Sequence, residues 1–196
     1  RSRFGAEART ISGEEEARLT FAGALSGLTV AGDGRVLVFD VGGGSTEVVE
    51  GDLATRAVAY AHSYDIGSVR LTERHIHEDP PSENERDAVT GSARDAFSSI
   101  PDFVRGAPVV GIAGTVTTLA AVSLQMAEYD GARLHGLRLE VRELERVVDR
   151  LAHLPLTERA AVPGLEPKRA DVIVAGGLVA LALLHRVEAE SFTVSD

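Results

Sequence analysis

The chain contains no cysteine and no tryptophan among its 196 residues. Without cysteine it forms no disulfide bond and holds no metal through thiolate ligands. Its longest apolar stretches, such as residues 172–184, are shorter than the about 20 residues that a membrane-spanning helix needs. Lysine occurs only as Lys168, and the formal net charge is −10. Because nucleic-acid binders normally carry a basic face, no nucleic-acid partner is expected.

The residues that are present suit a globular domain with a substantial core. Hydrophobic residues make up 44% of the chain and charged residues 26%. The acidic charge does not exclude a phosphorylated substrate, because backbone N–H groups and a metal ion can hold phosphate on an acidic surface. No basic-apolar signal sequence opens the chain, and we expect a cytoplasmic protein with no membrane partner.

Strand-forming and turn-forming residues alternate in the first third of the chain. Strands are predicted at 35–41, 45–50 and about 57–63. Gly42 to Gly44 form the first connection, and Gly51 with Asp52 forms the second. This order predicts an antiparallel three-strand meander. A serine followed by acids predicts that a helix over 12–25 precedes the meander.

Strands alternate with helices in the rest of the chain. Helices are predicted at about 67–77, 82–99, 116–127, 142–154 and 170–185, and strands at 108–112 and 191–194. Residues 137–141 fit either a strand or the lead into the next helix. The pattern predicts one α/β domain with a mixed five-stranded sheet and helices on both faces.

The strongest local signal is the run DVGGGSTE from Asp40 to Glu47, between two predicted strands. Three consecutive glycines are costly unless the backbone needs positive φ or a ligand approaches closely. The N–H groups of Gly43, Gly44 and Ser45 can converge on an anion. Asp40 suits a hydrated magnesium ion or an attacking water. A glycine-rich hairpin with a polar rim is the alternative, and the flanking acids favour the phosphate site.

Two further segments carry weaker signals. Gly111 to Thr115 (GIAGT) joins a strand to a helix expected to begin near Val116, where free N–H groups favour negative charge. This segment and the first glycine loop would face a single cleft. Glu14 to Glu16 fill a first helical turn, where acids usually complement the helix dipole. One of them could instead act as a general base, and local physics does not choose which.

Five segments together resemble the exopolyphosphatase/guanosine-pentaphosphate phosphatase (Ppx/GppA) family. They are SGEEEARLTFAGAL, DVGGGSTEVVEGD, GSVRLTERH, GIAGTVTTLAA and ADVIVAGGLVAL, in the family's order and spacing. The family is related to sugar kinases and chaperone ATPases of the actin-like fold. The resemblance implies that residues 1–196 form a single actin-like (ribonuclease-H-like) domain, the second of such a phosphatase.

The resemblance also implies an activity and its residues. The activity is hydrolysis of phosphoanhydrides, either the terminal bond of inorganic polyphosphate or the 5′ γ-phosphate of guanosine pentaphosphate. Glu16 would orient or deprotonate the attacking water, while Asp40 and Glu47 would hold Mg2+ and water. The implied phosphate-binding positions are Gly42, Gly43, Gly44, Ser45, Gly114 and Thr115. Residues 175–184 match the family's glycine-containing connecting helix, and its two glycines, Gly176 and Gly177, are expected to allow close helix packing.

The family's first phosphate loop is absent from this sequence. We therefore expect a missing N-terminal domain of the same polypeptide to supply the other wall of the cleft, and the isolated chain to be inactive. An actin-like kinase or ATPase, which would need a purine pocket, is an alternative. So is a catalytically silent nucleotide-sensing module, against which the trio Glu16, Asp40 and Glu47 argues. Oligomeric state, including a homodimer, stays open.

Overall fold

A single mixed sheet organises the molecule. The structure, a computed structural model, describes residues 13–28 and 34–196; for Glu14 and Glu16 it describes the backbone only. The strands are β1 (Arg35–Val41), β2 (Thr46–Asp52), β3 (Val58–Tyr64), β4 (Val109–Ile112), β5 (Arg138–Glu140) and β6 (Ser191–Val194). Their order across the sheet is β3-β2-β1-β4-β6-β5. The predicted meander is confirmed, because β1, β2 and β3 pair in antiparallel fashion.

The sheet has six strands where five were predicted. The pairs β1–β4 and β4–β6 are parallel, and β5 runs antiparallel to β6. The additional strand is β5, in the segment that fitted either a strand or the lead into a helix. Three residues are too few to show a period-2 pattern, so only pairing with β6 defines this edge strand.

Eight α-helices are described in this part of the chain. They are α1 (Gly13–Ala24), α2 (Ser68–His75), α3 (Glu83–Phe97), α4 (Ala113–Ser123), α5 (Gly131–Leu134), α6 (Val141–Ala152), α7 (Leu156–Arg159) and α8 (Ile173–Arg186). Short 3-10 turns lie at Asp102–Val104 and Pro167–Arg169. None of the helices in the described ranges is both long and apolar enough to cross a membrane.

The two faces of the sheet bury different amounts of apolar surface. Leu37, Phe39 and Val48 point into the larger core, which α2, α3, α4, α6 and α8 complete. The opposite face carries a smaller cluster, including Val38 and Val49, beneath Phe21 of α1. Helices on both faces were predicted, and the structure confirms them. Among the described residues, a cavity lined by Thr20 of α1, Asp40 and Ile112 lies on this second face, near the carboxyl ends of β1 and β4.

Close packing at two glycines of α8 is also confirmed. A Cβ at Gly176 would lie 2.8 Å from Thr115 Cγ2 of α4, and one at Gly177 would lie 2.5 Å from Val148 Cγ2 of α6. Any larger side chain would therefore push α8 away from its neighbours. This contact holds the α4 N-terminus against the larger core.

The start of α4 differs from the prediction. The helix begins at Ala113 rather than near Val116, so Gly114 and Thr115 lie in its first turn and not in a loop. The N-cap residue is Ile112, whose side chain makes no capping hydrogen bond. The turn into the helix is made by Ala113 at φ +63°. Without a serine, threonine or aspartate at the cap, the sequence carried no start signal here.

Candidate active site

Three polar residues form a row across three neighbouring strands. Asp40 of β1 lies opposite Glu47 of β2, and Glu47 lies opposite Ser63 of β3. Because side chains alternate between the two faces of a sheet, directly opposed residues share a face. The hairpin loop of residues 42–45 sets this pairing by placing Val41 opposite Thr46. The row lies on the face that α1 covers, next to the end of β1.

Asp40 occupies an environment that disfavours its charge. Burial, and secondarily the negative charge of Glu47, raise the pKa of Asp40 to about 6. Its Oδ1 atom is buried and, among the described residues, has no hydrogen-bond partner. A buried carboxylate oxygen without a donor is costly, so this position favours a ligand that supplies positive charge or a proton.

Two hydroxyl groups fix the orientation of Glu47. Ser45 Oγ donates to Glu47 Oε1 at 2.6 Å, and Ser63 Oγ donates to the same oxygen at 2.8 Å. Within the described ranges no hydrogen bond reaches Oε2. The carboxylate is therefore held by one oxygen while the other remains available for a ligand.

The glycine loop is held by its carbonyl groups. The Gly42 carbonyl accepts from the Ser68 N–H at 2.9 Å, and the Gly43 carbonyl accepts from the N–H groups of Val69 and Arg70 at 2.9 and 3.0 Å. The carbonyl of the next glycine in the loop accepts from Arg70 Nε at 2.7 Å. The start of α2 thus clamps the loop from one side, and all three glycine carbonyls have partners.

The amide groups of the loop remain available. The Gly42 N–H donates to the Ser45 carbonyl at 3.0 Å and closes the hairpin. The N–H groups of Gly43, Gly44 and Ser45 have no partner among the described residues, and both glycines are exposed. A run of free N–H groups with their carbonyls tied behind them is a ready-made anion site.

Gly67 makes the clamp sterically feasible. A Cβ at this position would lie 2.6 Å from the Gly43 carbonyl oxygen and 2.7 Å from that of Gly42. Only glycine allows α2 to approach the loop this closely. The sequence contained the relevant segment, GSVRLTERH, but without tertiary contacts nothing in it showed what the glycine packs against.

The N-terminus of α4 lies at the same level of the sheet. Ile112 pairs with Asp40 in the parallel β1–β4 ladder, so the helix starts directly beside the glycine loop. The first N–H groups of a helix have no intrahelical partner and carry partial positive charge. Thr115 is buried, and its Oγ1 donates to the Val41 carbonyl at 2.7 Å. Its hydroxyl therefore ties α4 to β1, and the predicted role of Thr115 in phosphate binding would rest on its backbone N–H.

A cavity of about 420 Å³ brings these elements together. It is lined by Asp40, Gly42, Gly43, Gly114 and Thr115, and by Lys168 and Arg169 across from them. A second cavity, of about 500 Å³, lies on the other side of Asp40 and is lined by Thr20 of α1, among others. The geometry thus assembles the glycine loop, Asp40 and the start of α4 on one open face.

Lys168 and Arg169 are site residues that sequence analysis missed. Both bind Glu166, with Lys168 Nζ at 2.6 Å and Arg169 Nε at 3.0 Å from its carboxylate oxygens. The Arg169 guanidinium lies so close to Gly114 that a Cβ there would overlap it. The solitary lysine beside an arginine was the available signal, but its position in the cleft depends on the turn before α8.

The position of Glu16 is described only in part. Its backbone lies in α1, and its side chain is outside the described part of the structure. Thr20 lies one helical turn further on and lines the cavity that contains Asp40. The role of Glu16 as base therefore stays a prediction.

The residues present fit a magnesium ion. No group of three His, Asp or Glu side chains in the described ranges is placed to hold a metal ion alone. Magnesium, however, is usually bound through one or two carboxylates, with the remaining positions taken by water and substrate phosphates. Asp40 Oδ1 and Glu47 Oε2 are two carboxylate oxygens of that kind, opposite each other on adjacent strands.

The strand order and the glycine hairpin at the end of β1 define half of an actin-like, ribonuclease-H-like fold. Residues 1–196 match the Ppx/GppA phosphatase family, and the chain belongs to that family. The chain is 40% identical over 202 residues to exopolyphosphatase 2 of Mycobacterium tuberculosis H37Rv, covering 98% of this chain and 61% of that protein.

Solved structures agree with this assignment. The Ppx/GppA enzyme of Aquifex aeolicus is similar at 34% identity and a TM-score of 0.85, over 95% of this chain and 60% of that one. An exopolyphosphatase from Cytophaga hutchinsonii is similar at 27% identity and a TM-score of 0.79, over 93% and 59% of the two chains. The chain thus spans about three fifths of the length of these relatives.

Proposed function

We propose that the intact protein hydrolyses phosphoanhydride bonds and releases the terminal phosphate of inorganic polyphosphate. The observation that carries this proposal is the free amide row of Gly43, Gly44 and Ser45 next to the carboxylates of Asp40 and Glu47. Amides suit the non-bridging oxygens of a phosphate, and carboxylates suit a cation or an attacking water. Neither the amides alone nor the carboxylates alone would distinguish phosphoryl transfer from simple anion binding. The two kinds of group together favour phosphoryl transfer.

The chain's own residues act by binding and orientation. The loop amides and the α4 N-terminus hold the terminal phosphoryl group from two directions, which stabilises charge that develops on its oxygens. Lys168 and Arg169 line the same cavity and favour a polyanion over a neutral substrate. Glu16 is proposed to take the proton from the attacking water. In-line attack by water needs no covalent enzyme intermediate.

Magnesium is proposed as the cofactor. Asp40 and Glu47 would hold it, and when bound it supplies charge neutralisation at the phosphate oxygens. The raised pKa of Asp40, about 6, means that its carboxylate is ionised at neutral pH and increasingly protonated below. Because a protonated Asp40 loses its attraction for a cation, the affinity of the metal-free protein for Mg2+ is expected to fall as the pH drops through 6.

A second wall of the site is proposed to come from a separate N-terminal domain. The relatives are longer than this chain, and the described cavity is open on one side. Losing one preorganised donor typically costs about 10²–10³ in rate, so the isolated chain should release phosphate at least that much more slowly than the intact protein. A rate near that of the intact protein would contradict a two-walled site.

Guanosine pentaphosphate is a second candidate substrate because of a neighbouring cavity. A space of about 430 Å³ continues from Gly114 and Arg169 past Met126, Tyr129 and Leu165. That volume is within the range of small-ligand sites and is apolar enough to receive a nucleoside.

The decisive experiment compares phosphate release from the two substrates. The intact protein is assayed with polyphosphate and guanosine pentaphosphate side by side, as wild type and as Glu16→Gln. We expect Glu16→Gln to abolish turnover of either substrate while leaving the fold and substrate binding intact. Release from neither substrate by the wild-type protein, or unchanged release by the variant, would refute the proposal.

A further inference from the structure

Ser63 lies on the edge strand of the sheet, far from the glycine loop in sequence. It stands directly opposite Glu47 in the β2–β3 ladder, and its hydroxyl is 2.8 Å from Glu47 Oε1. Ser63 is exposed, and its segment, AHSYDIG, carried no functional signal in the sequence. Its position one strand beyond Glu47 nevertheless places it at the end of the row that begins with Asp40.

The bond contributes little to holding the sheet together. β2 and β3 pair from Thr46 opposite Tyr64 to Gly51 opposite Val58, which joins the strands by backbone. One exposed hydroxyl–carboxylate bond adds little to that ladder, since a typical hydrogen bond contributes only about 0.5–1.5 kcal/mol net. Its effect is therefore on Glu47 itself.

Two hydroxyl donors on the Oε1 atom restrict the orientation of the Glu47 carboxylate. A carboxylate oxygen has two lone-pair directions, and Ser45 Oγ and Ser63 Oγ both donate to Oε1. The oxygen left without a hydrogen bond among the described residues is Oε2. Ser45 belongs to the loop that is proposed to bind phosphate, whereas Ser63 sits on a regular strand. Ser63 is thus the donor whose position does not depend on the loop.

We propose that Ser63 is a positioning residue that orients Glu47 for cation binding through Oε2. It does so from outside the ligand set, by fixing the carboxylate rather than by touching substrate or metal. The inference rests on the proposed assignment of Glu47 as a magnesium ligand. Partners that orient a metal ligand typically change metal affinity by about 10–100-fold when removed.

Threonine and valine at position 63 provide a matched test. The two side chains have the same shape and both suit an edge strand, but only threonine keeps the hydroxyl. Binding of Mg2+ alone is measured by calorimetry on the intact protein without substrate. Ser63→Val should lower the affinity about tenfold, the lower end of the usual range, while Ser63→Thr stays close to wild type. Ser98→Ala serves as a neutral control, because Ser98 is exposed and, within the described ranges, its hydroxyl bonds only to the carbonyl of Asp95.

Enzyme kinetics give an independent test of the proposed role of Ser63. With Ser63→Val, the Mg2+ concentration for half-maximal phosphate release should rise by the same factor as the dissociation constant. The value of kcat at saturating Mg2+ should stay near wild type, because the substitution removes no group that contacts substrate. A structural disturbance would lower kcat in both variants.

The outcomes separate this inference from the proposed function. If Ser63→Val binds Mg2+ like wild type while Glu47→Gln has lost binding, the role of Ser63 is wrong and the assignment of Glu47 stands. If Ser63→Thr weakens binding as much as Ser63→Val, side-chain shape rather than the hydroxyl is responsible, which also overturns the inference. If Glu47→Gln binds Mg2+ normally, both assignments fail.

Discussion

Two glycine-containing segments leave neighbouring parallel strands at the same level of the sheet, and they are built for different tasks. After Asp40 the chain makes an exposed hairpin loop, with three carbonyls tied to α2 and three N–H groups free. After Ile112 it turns straight into a buried helix through the strained Ala113. The first segment is an exposed loop, while the second runs directly into a helix that is buried from Thr115 onward.

The comparison shows that glycine serves two different structural purposes in one site. Gly43 and Gly44 leave amides exposed for a ligand. Gly111 is required by packing, because a Cβ there would lie 2.8 Å from the Phe39 ring. Similar sequence letters at equivalent strand ends therefore mark an exposed loop in one case and a tightly packed strand end in the other. What separates them is the space around the glycine, since a Cβ at Gly44 would meet only Arg70, at 3.7 Å.

The largest effect is expected from Gly67→Ala, which pushes α2 off the glycine loop. The added Cβ would lie 2.6 Å from a loop carbonyl oxygen, so loop and helix must move apart. A misplacement of about 1 Å at a catalytic site can cost about 10²-fold in rate, and we expect a loss of that size in phosphate release.

Gly91→Ala is the control for that experiment. Gly91 lies within α3, and nothing is within 4 Å of the Cβ that alanine would add. Replacing a mid-helix glycine by alanine should stabilise the protein by about 0.5–1 kcal/mol and leave activity unchanged. Equal losses in the two variants would show that the clamp on the loop is unimportant.

Thr115→Val tests the bond that joins the two segments. It removes the hydroxyl donated to the Val41 carbonyl at 2.7 Å and leaves that buried oxygen without the bond. The free energy of unfolding should fall by about 1–3 kcal/mol in urea denaturation. Thr90→Val, which removes a bond only within α3, should cost far less. Equal losses would mean that Thr115 does not tie the segments together.

Asp40→Asn should change how stability depends on pH, measured with EDTA present. The pKa of Asp40 rises on folding from 3.8 to about 6, so the folded state binds the proton more tightly. Its ionisation therefore lowers wild-type stability as the pH rises from about 4 to about 6, and the cost is complete above that window. The variant lacks this cost, so its advantage over wild type should be greater at pH 8 than at pH 4. The same difference at both pH values would refute the raised pKa.

The smallest effect is expected at Ala113, where the second segment turns. Its φ of +63° is strained for alanine and accessible to glycine. Ala113→Gly relieves the strain in the folded state but raises the conformational entropy of the unfolded chain. Because the two effects oppose each other, the free energy of unfolding should change by less than about 1 kcal/mol. Ala113→Val, β-branched in the same conformation, should destabilise clearly more. Equal stability of the two variants would contradict a positive φ at this residue.

Local pattern predicted the elements, whereas tertiary contacts determined the site. The meander and the acids flanking the loop followed from alternation and spacing, and the α8 glycine contacts followed from the family resemblance. A four-residue hairpin loop would also have predicted Asp40 opposite Glu47. The clamp of α2, the cations near Gly114 and the early start of α4 could not be predicted. Each depends on packing between segments that are distant in sequence, and the last also lacks a capping residue.

The contrast between the two segments is tested most directly by NMR on the intact protein with only its glycine residues labelled with ¹⁵N. Both segments contain glycine, so the chemical shifts of their amide groups can be followed in one spectrum. Tripolyphosphate with Mg2+ is added to the Glu16→Gln variant, which should bind without turnover. Gly43 and Gly44 should shift most, because their N–H groups are free, and Gly42 should shift less, because its N–H already donates to Ser45. Unchanged Gly43 and Gly44 signals at saturating ligand would contradict the phosphate-binding role of this loop.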